Sequence, residues 1–139
     1  MARKPLILCL DDEWNELEGR KELLEQRGCQ VLVTTSVWEG LRWFDQHAVD
    51  LVLLDYHMPE MMGDLLAREM KARKSDVPIA MLSSDNDVTD DVLKSVDAFV
   101  SKSESLANFL QIVEQLLNLR LLFAPLDLDG DQPPEEHAA

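Results

Sequence analysis

Basic side chains are scarce in this sequence: 13 Lys and Arg stand against 27 Asp and Glu, a formal charge of −14 over 139 residues. The few cations are scattered rather than gathered into a stripe that would grip a phosphate backbone, so direct nucleic-acid binding is not expected. Cysteine is limited to Cys9 and Cys29, each in or beside an apolar segment. Two such thiols read as buried side chains, not as a disulfide framework or a metal pair. Long apolar runs are missing too. The first, Pro5 to Leu10, covers six residues, too few for a signal peptide or a membrane span. A soluble cytoplasmic protein without membrane insertion is therefore expected, and the length suits one domain with a real hydrophobic core.

What the sequence does contain is a set of short apolar runs that end in polar groups. Leu51-Val52-Leu53-Leu54 is bounded by Asp50 and Asp55 and reads as a strand covered on both faces, as in parallel sheets. Asp55 sits at its carboxyl end, where ligands bind in open α/β sheets. Read alone, it could equally open a turn. Leu6-Ile7-Leu8-Cys9-Leu10 repeats the pattern and ends in Asp11-Asp12-Glu13; Pro78 to Leu82 ends in Ser83-Ser84-Asp85; Ala98-Phe99-Val100 ends at Ser101-Lys102. Gln30 to Thr35 alternates weakly and reads as an edge-side strand.

Helical spacing fills the intervals. A helix is expected from Trp14 to Arg27, with Leu17, Leu23 and Leu24 inward and Gly28 as its terminator. Ser36 and Glu39 form a capping box that opens a helix to His47, with Val37, Leu41, Phe44 and Ala48 inward and Trp38 and Trp43 as flanking packing residues. Asp64 is expected to cap a helix to Lys74 carrying Leu65, Leu66, Ala67 and Met70. The polar stretch from Asn86 to Val96 supports only a short helix. The last helix, Ser105 to about Leu119, carries Leu106, Phe109, Leu110, Val113, Leu116 and Leu117.

Strands alternating with helices predict an α/β fold, a doubly wound five-stranded parallel sheet with helices on both faces, in the flavodoxin-like order 2-1-3-4-5. Asp11, Asp12, Asp55, Ser83 and Lys102 then project from one sheet edge. Clustered carboxylates repel, which raises their pKa values unless a cation neutralises them. Oxygen donors without His or Cys at metal spacing favour Mg²⁺, which keeps open positions for phosphate oxygens. Lys102 and Ser83 would add a positive charge and a hydroxyl donor, and a carboxylate beside the metal can itself be a nucleophile.

From about Lys4 to Arg120 the chain resembles the bacterial response-regulator receiver domain, the phosphoacceptor module of two-component signalling. The resemblance is carried by Leu10-Asp11-Asp12-Glu13, by the Asp-x-x-Met-Pro-x-Met-x-Gly run from Asp55 to Gly63, by Ser83 and by Lys102. It implies that Asp55 is phosphorylated by a histidine kinase or histidine phosphotransfer protein. Asp12, Asp55 and the backbone carbonyl of His57 would bind Mg²⁺, and Asp11 would act mainly through a metal-bound water. Ser83 and Lys102 would contact the phosphoryl group. Ser83 and Phe99 would then switch the surface of the fourth helix, fifth strand and fifth helix, which could bind a downstream protein target or form a homodimer.

Several positions depart from the family pattern. Ser103 stands where the family usually has Pro with a cis bond, so the loop is expected to sit differently and hold Lys102 less rigidly. Ser83 replaces the commoner Thr, and His57 and Asp85 occupy positions that tune autodephosphorylation in relatives. Residues 1–120 form the expected receiver domain and 121–139 an apolar, then acidic tail, frayed from Asp127. Its Asp127-x-Asp129-x-Asp131 spacing does not continue as a calcium loop, because Gln132 and Ala138 occupy the positions that need Gly and Glu. Read as complete, the chain is a stand-alone receiver and not a turnover enzyme. The alternatives are a constitutive receiver-fold scaffold and a Mg²⁺-dependent phosphatase, the latter disfavoured by His57 two residues after Asp55.

Overall fold

A computed structural model describes residues 3–84 and 88–123, with side chains described as far as residue 118. Asp85 and the tail from Asp127 lie outside the described residues. Five strands alternate with five helices: β1 (Leu6–Leu10), α1 (Trp14–Gln26), β2 (Gln30–Thr34), α2 (Val37–Gln46), β3 (Leu51–Asp55), α3 (Gly63–Arg73), β4 (Ile79–Ser83), α4 (Asp90–Lys94), β5 (Ala98–Ser101) and α5 (Leu106–Phe123). All neighbouring strands are parallel, in the order β2-β1-β3-β4-β5. The expected sheet is thus the observed one, with β2 at its edge. No helix among the described residues is long and apolar enough to cross a membrane.

The continuous apolar runs resolve into two alternating faces. Leu6, Leu8 and Leu10 of β1, with Val52 and Leu54 of β3, pack against Val37, Leu41 and Phe44 of α2 and Leu66, Ala67 and Met70 of α3. Ile7 and Cys9, with Leu51 and Leu53, pack against Leu17 and Leu24 of α1 and Phe109, Val113, Leu116 and Leu117 of α5. Side chains alternate along a strand, so a strand covered on both faces needs no polar position. By the same alternation Asp11 and Asp55 fall on the α1/α5 side.

Local signals explain several boundaries. Gly28 adopts φ +88° after α1, its N–H bonded to Glu25 O and that of Cys29 to Leu24 O, the paired bonds of a Schellman stop. Ser36 accepts from Glu39 N–H at 3.3 Å. The other half of the capping box is absent: the Glu39 carboxylate instead accepts from the Thr34 hydroxyl at 2.7 Å, and Thr34 Oγ1 takes the Ser36 N–H. Edge strand and helix are thereby tied together.

Some expectations fail. Asp64 lies in the first turn of α3 and Met62 holds the cap position without a side-chain bond. Leu65, Leu106 and Trp38 are 52%, 67% and 58% exposed, so they are not core residues, whereas Trp43 packs against the core as expected. Ala48 follows the end of α2 and is exposed, Val49 taking the buried place beside it. In each case spacing suggested an inward face that the helix packing does not reach.

Candidate functional site

Because β1, β3, β4 and β5 are adjacent and parallel, the residues that end them stand side by side. Asp55 closes the central β3 and is 3% exposed; Asp11 follows β1 and is wholly buried. Asp12 is exposed beside it. One carboxylate oxygen from each of these three lies within 4.8 Å of the others. Ser83 ends β4, buried, and its carbonyl accepts from Lys102 N–H at 2.9 Å. Phe99 is half-buried on β5, opposite Met81.

The loop after Asp55 is shaped by its own residues. His57 N–H donates to Asp55 Oδ1 at 3.2 Å, while the His57 ring is exposed against Tyr56. Met58 is buried in the core beneath α2 and α3. Gly63 closes the loop by donating its N–H to Tyr56 O at 2.8 Å. A Cβ at Gly63 would meet Asp55 O and Tyr56 Cα, each at 2.8 Å. Only a residue without a side chain lets α3 begin this close to the backbone of Asp55.

Lys102 reaches across the cluster, its Nζ lying 3.2 Å from Asp11 Oδ2, 3.2 Å from Asp55 Oδ2 and 2.9 Å from Glu16 Oε2. The turn behind it contains no cis peptide bond. Ser103 N–H donates to Ser101 Oγ, the two hydroxyls are 2.8 Å apart, and Glu104 N–H bonds to Ser101 O. A serine pair therefore closes the loop, and the three carboxylates hold the Lys102 head.

Two site residues escaped the sequence reading. Arg20 Nη2 lies 3.0 Å from Asp11 Oδ2 and 3.8 Å from Glu16 Oε2. Glu16 in turn shares Lys102. The signal was present: Leu17, Arg20 and Leu24 fall at i, i+3 and i+7, so Arg20 occupies the inward stripe of α1, where a charge requires a partner.

The electrostatics divide the carboxylates. Burial, and next the Asp11 charge, push Asp55 up to about 6; the His57 N–H and Lys102 only partly counter this. Burial also acts on Asp11, but the Glu13 N–H, Arg20 and Lys102 outweigh it and bring Asp11 below its ordinary range. For Lys102, burial is outweighed by Glu16, Asp11 and Asp55, and its pKa is raised. Crowding thus raises Asp55, whereas the Glu13 N–H and the cations Arg20 and Lys102 neutralise Asp11. Cys9, with its thiol pushed up to about 12 by burial, and Cys29 are buried free thiols, too protonated for nucleophilic chemistry.

The donor set suits a hard divalent cation: three oxygen ligands, no sulfur or imidazole, and a buried Asp11 Oδ2 that accepts no hydrogen bond of good geometry from the described residues. Asp11, Asp12 and Asp55 could hold Mg²⁺.

Comparison with known proteins gives one answer. A family model described as the response regulator receiver domain matches residues 7–114. The transcriptional regulatory protein PrrA of Mycobacterium tuberculosis is 29% identical over 119 residues, 84% of this chain and 51% of that protein. The probable transcriptional regulator ycf27 of Cyanidium caldarium is 34% identical over 90 residues, 65% of this chain and 36% of that protein. The chain thus spans about a third to a half of these relatives. Among solved structures, the response regulator TrrA of Thermotoga maritima in complex with Mg²⁺–BeF is 31% identical with a TM-score of 0.76, covering 81% of this chain and 98% of that one. A receiver domain protein from Clostridium thermocellum is 28% identical with a TM-score of 0.78, covering 85% and 98%.

Proposed function

The chain belongs to the response regulator receiver domain family, and from that premise we propose that it is a phosphoacceptor of two-component signalling or a phosphorelay, taking a phosphoryl group from a histidine kinase or histidine phosphotransfer protein onto Asp55. The observation that carries this is the placement of Asp55: a nearly buried carboxylate on the central strand, grouped with Asp11 and Asp12 and 3.2 Å from the Lys102 ammonium.

An Asp55 carboxylate oxygen attacks phosphorus, the new O–P bond forms, and the P–N bond to the donor imidazole breaks. With its pKa near 6, Asp55 is mostly ionised at neutral pH and available as the nucleophile. A Mg²⁺ ion held by Asp11, Asp12, Asp55 and the His57 backbone carbonyl would supply positive charge to the nucleophile and to the phosphoryl oxygens. Lys102 exchanges some of its carboxylate contacts for phosphoryl oxygens, and the Ser83 hydroxyl donates to the same group. Phosphorylation places a doubly charged acceptor beside β4 and β5. Ser83 and half-buried Phe99 respond to it, altering the α4–β5–α5 face that a downstream protein or a second copy reads. The work is cytoplasmic signalling by a changed surface, with catalysis confined to gain and loss of the protein's own phosphoryl group.

Intact-mass spectrometry after incubation with Mg²⁺ and acetyl phosphate tests this. One added phosphoryl group is expected, absent in Asp55→Asn and absent without Mg²⁺. No gain under these conditions would overturn the phosphoacceptor reading in favour of a scaffold.

A further inference from the structure

We infer that Arg20 is a built-in cation that competes with Mg²⁺ for Asp11, and that Glu16 is the carboxylate to which its guanidinium transfers when the metal binds. This rests on the reading that Asp11, Asp12 and Asp55 hold Mg²⁺.

The two oxygens of Asp11 differ in their partners. Oδ1 is occupied by the Glu13 N–H at 2.9 Å, which leaves Oδ2 as the atom free to face a metal or its water. That same Oδ2 is 3.0 Å from Arg20 Nη2 and 3.2 Å from Lys102 Nζ. Lys102 has a further role at the phosphoryl group; Arg20 has none. A guanidinium stays protonated in proteins, so it cannot relieve repulsion from a dication by losing charge. It must withdraw or remain and oppose the ion.

A place to withdraw already exists. Glu16 Oε2 lies 3.8 Å from the Arg20 nitrogen, one helical turn earlier in α1. Both side chains line an open groove between α1 and the start of α5, so solvent reaches them during the exchange. Glu16 also binds Lys102 at 2.9 Å, so the arrival of Arg20 competes with Lys102 for the same carboxylate and loosens one of the three contacts that hold the ammonium. Metal binding and the readiness of Lys102 are thereby linked through one glutamate.

Isothermal titration of Mg²⁺ into the full chain at pH 8 and fixed ionic strength tests this, above the range in which Asp55 titrates. Arg20→Met and Arg20→Gln are both expected to bind Mg²⁺ about tenfold more tightly than the wild type, the scale set by removing one close charge of like sign. The charge-matched control Arg73→Met, whose guanidinium pairs with Asp45 and Glu69 at the far end of α3, should shift affinity less than about twofold, as expected of a screened distant charge. Glu16→Gln should weaken binding in the wild-type background and weaken it much less in the Arg20→Met background, because the exchange partner is gone. Circular dichroism identifies any variant that has lost its fold, and Arg20→Gln carries the test if Arg20→Met has. Equal affinities for the Arg20 variants and the Arg73 control overturn the competition. Equal Glu16→Gln effects in both backgrounds overturn the transfer. If neither wild type nor variants bind Mg²⁺, the metal reading itself fails and the inference falls with it.

Discussion

Gly63 stands directly against the backbone of Asp55: a methyl group on its α-carbon would lie 2.8 Å from the Asp55 carbonyl oxygen. The obstructing atoms are backbone, which cannot swing aside as the end of a flexible side chain can. Gly63→Ala must therefore displace either α3 or the Asp55–Tyr56 peptide. We expect a loss of roughly 1–3 kcal/mol in urea unfolding, the range for overpacking, together with a phosphorylation rate from acetyl phosphate reduced at least about tenfold, because small misplacements of a nucleophile are costly. A variant as stable and as rapidly labelled as wild type would show that the loop can absorb the methyl group.

At the opposite edge of the sheet, Asp50 ties Arg3 and the first residue of β1 to the start of β3. Its buried carboxylate accepts both Arg3 guanidinium nitrogens at 2.8 and 2.7 Å and the Leu6 N–H at 2.8 Å. Asp50→Ala leaves Arg3 unpaired and a buried N–H without its acceptor, an expected loss of roughly 2–4 kcal/mol. Labelling of Asp55 in the folded fraction should not change. A labelling defect in fully folded Asp50→Ala would contradict this separation of the two sheet edges.

Sequence and structure agree best where one local rule has no competitor. Leu51 to Leu54 read as a strand buried on both faces with Asp55 at its carboxyl end, and β3 is that strand, because four successive apolar residues suit a sheet covered on both sides. Gly28 ended α1 for the stated backbone reason. Half of the Ser36–Glu39 box formed; the other half lost to the Thr34 hydroxyl, a tertiary partner that helix-start rules do not see. Trp38, Leu65 and Leu106 carry apolar side chains at helical spacing but face outward, because spacing gives a helix a stripe without saying how wide the neighbouring sheet is. Arg20 is the opposite case. Its position in the Leu17–Leu24 stripe was visible, but which acid it would meet depended on α1 crossing beside the end of β1.

Lys102 is the cation common to Asp11, Asp55 and Glu16. Replacing it with Met leaves Arg20 as the other cation paired with Asp11 among the described residues. We expect Lys102→Met to lose stability in EDTA, by roughly 1–2 kcal/mol at low salt, and to regain part of it on adding Mg²⁺, since a ligand that binds only the native state stabilises it. Phosphorylation should slow by a factor of about 10² or more, the scale for loss of a preorganised charge at a reacting group. Labelling at the wild-type rate would remove Lys102 from the reaction.

The raised pKa of Asp55 makes a signed prediction for pH. Its value is about 6 in the folded protein against an ordinary 3.8, so between about pH 4 and pH 6 the folded state binds more protons than the unfolded chain. Stability in metal-free buffer must then fall as pH rises through that window and level off above it. Asp11 acts in the opposite sense, its lowered pKa giving a contribution that is present above pH 4 and lost as pH falls below it. The other acids of this strongly negative chain also titrate, so the informative quantity is the difference between wild type and Asp55→Asn. That substitution keeps the shape and removes the ionisable group. In EDTA, Asp55→Asn should gain stability relative to wild type by about 2 kcal/mol between pH 4.5 and pH 7.5. Saturating Mg²⁺ should reduce or reverse this gain at pH 7.5, because the ion stabilises the ionised form that only the wild type has. Urea unfolding at the two pH values, with EDTA and with Mg²⁺, gives all four differences. A constant difference across pH would mean that Asp55 titrates at its ordinary value, and that the burial and carboxylate crowding at the end of β3 are relieved by solvent.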